Sequence, residues 1–195
     1  MKKLENKRIL ITAGPTWVAI DKVRVLSNTA TGETGKLLAQ ALIKSGAKVT
    51  LLSGPFSFDN LAGNLTKELK SKEYDIVIHS AAVSDYRPEK VFSGKLASGI
   101  KSFRLKLIRT PKIINLIKKA SPDSLLVGFK FEPDALKTSL IKEAAVLLNK
   151  SKAEFVVANT VNGGNYRAYI VSRKETLGPF SKKKLLVNAL VKVLS

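Results

Sequence analysis

Two stretches of this 195-residue chain combine residue types that suit the handling of anions. The first runs from Gly14-Pro15-Thr16-Trp17 to Gly32-Glu33-Thr34-Gly35. A glycine-rich turn that feeds a helix N-terminus offers free amides and the positive end of a dipole to a phosphate. Gly32 and Gly35 would let backbone approach such a group closely, although the same glycines could simply shape a tight turn. Inside this stretch Arg24 and Asn28 lie four residues apart. Arginine grips phosphate or carboxylate with a planar fork, and asparagine both donates and accepts. A loop-packing ion pair and an Asn turn would account for the two equally well. The second stretch is Ser80-Ala81-Ala82-Val83-Ser84-Asp85-Tyr86-Arg87-Pro88. Ala81 and Ala82 would let a ligand lie against backbone, and Asp85 could accept from a hydroxyl. His79, just ahead, alternates within an apolar run and reads as a packed core histidine rather than a base.

Several familiar chemistries are absent. The dinucleotide pattern G-x-G-x-x-G does not occur, and Gly35-Lys36 fails the Walker A pattern because position 30 is Ala and position 37 is Leu. Tyr86 and Lys90 have the spacing of a short-chain dehydrogenase pair, but Pro88 between them argues against the helix that pair requires. With no cysteine and one histidine, thiolate metal sites, disulfides and a catalytic Cys are excluded.

The charge is conspicuous: 34 Lys and Arg against 15 Asp and Glu give a net +19. Residues 1–97 carry +6 of it and residues 98–195 carry +13. The basic residues are mostly lysine and scattered, only 13 aromatics are present, and no nucleic-acid-binding motif is visible. A solvated lysine-rich surface with small anionic substrates is favoured over nucleic acid as partner. The N-terminal apolar run Ile9-Leu10-Ile11 is too short for a signal peptide, and nothing approaches the ~20 apolar residues of a membrane span. A cytoplasmic location is the expectation.

The elements that must position these residues alternate. Strands are expected at 7–13, 47–53, 74–80, 103–109, 124–129, 154–159 and 166–173, and helices at 35–46, 60–71, from 111, 134–150 and 181–194. Residues 86–102 read as a loop. Apolar strand runs between helices imply an α/β fold: one Rossmann-like, doubly wound and mostly parallel sheet with helices on both faces. Ligands of such sheets sit at the carboxyl ends of the strands, where both stretches fall. Residues 1–195 are read as a single domain.

The combination of blocks is more specific than any one of them. Thr12-Ala13-Gly14-Pro15-Thr16, then Ile20-Asp21-Lys22-Val23-Arg24-Val25-Leu26-Ser27-Asn28-Thr29-Ala30-Thr31-Gly32 and Gly35, resemble phosphopantothenoylcysteine synthetases of coenzyme A biosynthesis. So do Ala81-Ala82-Val83-Ser84-Asp85-Tyr86-Arg87, Gly94-Lys95-Leu96, Thr110-Pro111, Val127-Gly128-Phe129 with Glu132, and Val157-Ala158-Asn159, in the family's order. The departures are Pro15 for a second glycine, Ala30-Thr31 for a Ser-Ser pair, Ala97-Ser98 after Lys95 where the flap usually carries more lysines, Lys130-Phe131 for small residues, and Thr160 for an Asp.

That resemblance implies a ligase joining 4′-phosphopantothenate to L-cysteine through an acyl-nucleotidylate, with CTP favoured over ATP and Mg2+ held mainly by the nucleotide phosphates. By matching position it implies Gly14, Gly32 and Gly35 around the triphosphate, and Phe129 and Asn159 at the nucleoside. Asn28, Ala81, Ala82 and Asp85 would hold the phosphopantothenate or its activated acyl group. Arg24 would reach substrate in the neighbouring subunit of a homodimer with shared active sites. Lys95 would be the lysine of a flexible flap at about 86–102, and Asn28 and Lys95 the catalytic pair. A separate phosphopantothenoylcysteine decarboxylase would act downstream. The alternatives are a non-catalytic nucleotide-binding subunit and, further off, a basic nucleic-acid-binding protein.

Overall fold

Ile9, Leu10 and Ile11 have no solvent exposure because the strand that carries them is covered on both faces. The computed structural model describes residues 4–195. In chain order its first half contains β1 (Arg8–Ala13), β2 (Thr16–Ala19), β3 (Val25–Ser27), α1 (Glu33–Lys44), β4 (Lys48–Ser53), β5 (Phe56–Ser57), α2 (Phe58–Ser71), β6 (Ile76–His79) and β7 (Tyr86–Pro88). The second half contains β8 (Leu107–Arg109), α3 (Ile113–Ala120), β9 (Leu125–Phe131), α4 (Lys137–Ser151), β10 (Phe155–Asn162), β11 (Asn165–Val171), β12 (Thr176–Phe180) and α5 (Lys183–Leu194).

The main sheet has seven strands in the order β12-β11-β10-β9-β6-β1-β4. From β4 to β10 every pairing is parallel, and β11 and β12 complete the sheet antiparallel. Alternation along the strands sorts their side chains into two cores. Leu10, Val77, Leu126 and Val156 pack with Leu61 and Leu65 of α2, Ile117 of α3 and Leu140 of α4. Ile9, Ile11, Ile78 and Val157 pack with Leu38 and Leu42 of α1 and Leu186 and Leu190 of α5. Burying apolar area on both faces at about 25 cal/mol per Å2 is what holds the layers together. The expected α/β architecture, mostly parallel with helices on both faces, is present.

Helix α1 begins two residues before the expected start, and Gly46 follows it with φ 89, a left-handed residue that releases the chain into β4. The strand expected at 103–109 shrinks to Leu107–Arg109, the residues that stand in register with Tyr86–Pro88. Part of the loop expected at 86–102 is therefore the strand β7. Residues 14–35, where no strand was expected, contain β2 and β3, which join β5 in a small sheet ordered β3-β2-β5. Strand β12 carries Pro179 and closes the edge of the main sheet, where a residue lacking an N–H is tolerated. Among the described residues no helix is long and apolar enough to cross a membrane.

Strand β1 lies between β4 and β6, so the connections leaving β1 and β6 turn to opposite sides of the sheet. That is the topological switch point, where the carboxyl ends of two parallel strands diverge and leave a crevice.

Candidate functional site

The two stretches singled out in the sequence meet at this crevice. Ser80 donates its N–H to Thr12 O at 3.0 Å, and Ala82 donates to Gly14 O at 2.9 Å. Thr16 returns a bond to Ala82 O at 2.9 Å. The strand pairing thus continues past the sheet, and it brings Asn28 alongside: its Nδ2 donates to Ala82 O at 2.8 Å. The Oδ1 of Asn28 accepts no bond among the described residues.

A buried hydroxyl chain fixes the next residues. Ser84 N–H donates to Thr16 Oγ1 at 2.8 Å, and Thr110 Oγ1 donates to Ser84 O at 2.6 Å. Thr110 also donates its N–H to Asp85 O at 2.9 Å. The Asp85 carbonyl is thus held while its carboxylate stays exposed, paired with Lys112 Nζ at 2.6 Å. Nothing in the motif blocks announced Lys112, which needed the folded chain to reach Asp85.

The glycines do two jobs. Gly32, φ 75, is the N-cap of α1 and makes no side-chain cap. A Cβ there would lie 2.9 Å from Gly14 N, and one on Gly35 would lie 2.4 Å from Ala13 Cβ. Turn shaping and close packing therefore account for these glycines. The helix end remains open: the N–H groups of Thr34 and Gly35 take no partner among the described residues. Orphan amides at an N-terminus are the elements of an anion site.

Arg24 stands on the β2–β3 turn, half-exposed, with Nη1 on Asp21 Oδ2 at 2.6 Å and on Leu96 O at 3.2 Å. The ion pair allowed for in the sequence thus exists, with Asp21 as its partner. Asp21 is buried, and its carboxyl is held well below the usual carboxylate range. The Leu96 N–H is the largest single cause, against the opposing effect of burial, with help from the N–H groups of Val23 and Arg24 and from the Arg24 side chain. Asp21 was not among the residues expected to matter. Lys95, next to Leu96, is exposed and makes no ion pair among the described residues.

At the carboxyl ends of β9 and β10, Phe129 lies opposite Val157 in register and Asn159 lies opposite Phe131. Asn159 O accepts from Glu132 N–H at 3.0 Å. Lys130 pairs with Glu132 at 2.7 Å and approaches Glu143 at 3.7 Å. Burial pulls its ammonium down, yet the Glu132 bond, Glu143 and Asp85 outweigh this and raise it. The influence of Asp85 marks the β9 end and the switch point as electrostatic neighbours. His79 is buried in β6, with Nδ1 2.7 Å from Thr12 Oγ1, and burial lowers its pKa to about 4. It is a core residue, neutral at pH 7. A cleft of about 440 Å3, lined by Trp17, Phe58, Asp59, Arg87 and Val91 among others, includes none of the expected site residues.

The family model described as DNA/pantothenate metabolism flavoprotein C-terminal domain matches residues 4–191. Over 173 residues the chain is 36% identical to the coenzyme A biosynthesis bifunctional protein CoaBC of Thermococcus kodakarensis, which covers 82% of this chain and 43% of that protein. The chain spans about half the length of the curated relatives it matches. The crystal structure of the DNA/pantothenate metabolism flavoprotein from Streptococcus pneumoniae is similar at a TM-score of 0.84 and 27% identity, covering 96% of this chain and 98% of that one. The C-terminal domain of a coenzyme A biosynthesis bifunctional protein CoaBC follows at 0.79 and 27%, covering 100% and 96%.

Proposed function

We propose, since the chain belongs to the DNA/pantothenate metabolism flavoprotein C-terminal domain family, that it is a phosphopantothenate–cysteine ligase of coenzyme A biosynthesis. Its substrates are 4′-phosphopantothenate, L-cysteine and a nucleoside triphosphate, CTP in preference to ATP, and residues 1–195 act as one ligase domain. The observation that carries the reading is the junction at the switch point, where Asn28 bonds Ala82 O beside the open N-terminus of α1.

In the first step a pantothenate carboxylate oxygen attacks the α-phosphorus and pyrophosphate leaves. In the second, the cysteine amine attacks the acyl carbon, the nucleoside monophosphate leaves, and the amine proton goes to solvent. Three anionic groups converge at the α-phosphate, so positioning and charge neutralisation are the main tasks of the protein. The free amides of α1 suit the triphosphate, with Gly14, Gly32 and Gly35 around it. Phe129 and Asn159 flank the nucleoside. Asn28, Ala81, Ala82 and Asp85 hold the pantothenate end, with Asn28 Oδ1 and Nδ2 able to orient the reacting acyl group. Lys95 neutralises charge when its segment covers the site and excludes water from a hydrolysable intermediate.

Mg2+ enters as part of the nucleotide substrate, held by phosphate oxygens, in keeping with its reluctance to shed water. Among the described residues no group of three or more His, Cys, Asp or Glu is placed to hold a metal ion. Arg24 acts on the substrate of a second copy, which makes the working unit a homodimer. The product is the substrate of a phosphopantothenoylcysteine decarboxylase.

A pyrophosphate-release assay with 4′-phosphopantothenate, run with CTP or ATP and with or without cysteine, tests the reading. Release with CTP, and amide product only when cysteine is present, is the expected result. No release with either nucleotide overturns it.

A further inference from the structure

The side chain of Asp21 has no solvent exposure, yet it joins two surface segments far apart in the chain. Its Oδ1 accepts from the N–H groups of Val23 at 2.7 Å and Arg24 at 2.6 Å, folding residues 21–24 into a turn. Its Oδ2 accepts from Arg24 Nη1 at 2.6 Å and from Leu96 N–H at 3.0 Å. The same Nη1 donates to Leu96 O at 3.2 Å, so the residue is gripped at both its N–H and its carbonyl. Lys22 N–H to Gly94 O at 3.2 Å and Phe92 N–H to Ile20 O at 3.0 Å extend the seam.

A turn of this kind needs one carboxylate oxygen; the second serves a segment 75 residues away. We propose that Asp21 is a positioning residue: Oδ1 shapes the turn that carries Arg24, and Oδ2 docks the 86–102 segment through Leu96. Lys95 then leaves the backbone from a fixed point beside the Arg24 guanidinium. Nε and Nη2 of Arg24 take no partner among the described residues, so the fork can hold a phosphate without releasing the dock. A buried carboxylate keeps its charge only while its donors remain in place. Docking of the segment and ionisation of Asp21 therefore support one another.

The roles given to Lys95 and Arg24 rest on the ligase reading, whereas the dock does not. Amide hydrogen exchange on the full chain is the first test, followed by Asp21→Asn. Asparagine retains an acceptor for the turn amides, but its NH2 group cannot accept from Leu96 or Arg24. The Leu96 amide is expected to be protected in the wild type and to exchange about tenfold faster or more in Asp21→Asn. Lys95→Gln should leave that protection unchanged. Turnover in pyrophosphate release should fall about tenfold in Asp21→Asn with nucleotide KM within about threefold, and the loss should not add to that of Lys95→Gln. An unprotected Leu96 amide in the wild type overturns the dock, and so does unchanged exchange in Asp21→Asn. A turnover loss fully additive with Lys95→Gln overturns the positioning role. Absence of pyrophosphate release from the wild type overturns the ligase reading alone, because the exchange results still decide the dock.

Discussion

The backbone of Gly35 in α1 lies against the side chain of Ala13 in β1: a methyl group on Gly35 would lie 2.4 Å from Ala13 Cβ and 2.7 Å from Ser80 Oγ. The helix whose free amides face the crevice is therefore seated directly on the ends of β1 and β6. Gly35→Ala sets a propensity gain of up to about 1 kcal/mol in the helix against an overpacking cost of about 1–3 kcal/mol. Ala13 is buried on a central strand and cannot move aside, so the cost wins. The variant should unfold at lower urea, with Tm down by about 2–4 °C for each kcal/mol lost. An unchanged or raised midpoint would show that the junction has slack.

The single histidine makes a pH experiment direct. Buried His79 has a pKa of about 4 in the folded chain, below its ordinary 6.5. Between these values the unfolded state binds the proton and the native state does not, so stability rises with pH through that window. The contribution is complete above about pH 6.5 and is lost as pH falls toward 4. Urea unfolding at pH 5 should yield about 2 kcal/mol less from this group than at pH 7. The Hε1 proton resonance should titrate near pH 4 in the native protein, and His79→Gln should flatten the slope. A native midpoint near 6.5 would contradict the burial.

The parallel strands were legible because each is a largely apolar run between helical patterns; those inside the sheet, β1, β6, β9 and β10, are buried on both faces, while β4 forms an edge. The strands missed are short and take their partners from tertiary context: β2 pairs with β3 and β5, and β12 extends an edge despite Pro179. The site was partly legible in the same sense. Asn28 and Ala82 were both singled out, and they meet at 2.8 Å across 54 residues. Asp21 stood within a quoted block but beside Lys22 and Arg24, where an aspartate looks like an ordinary surface partner. Only the fold brings Leu96 to its second oxygen. Lys112 escaped for the same reason.

Lys95, exposed and without an ion-pair partner among the described residues, lies one residue from the docked Leu96. If it meets charge that develops only as the carboxylate attacks, its removal should slow chemistry more than it weakens ground-state binding. Lys95→Gln is expected to lower turnover in pyrophosphate release about 100-fold or more, with nucleotide Kd within about threefold by calorimetry. Equal losses in turnover and binding would make Lys95 a general anion contact. Unchanged turnover would remove it from the site altogether.

Arg24 offers a test of the shared site that needs no structure of the assembly. Its Nη1 is committed to Asp21 and Leu96, leaving Nε and Nη2 for an anion brought by a second copy. Arg24→Ala and Lys95→Gln should each be nearly inactive alone. In a two-fold dimer with Arg24 acting across the interface and Lys95 reaching the site of its own subunit, a mixed pair has one site with both defects and one with none. Random mixing should then restore about a quarter of wild-type turnover, half of the dimers being mixed and half of their sites intact. The restored activity should appear on the timescale of subunit exchange and keep the wild-type KM for phosphopantothenate. If Arg24 served its own subunit, every site in the mixed dimer would carry one defect and mixing would restore nothing.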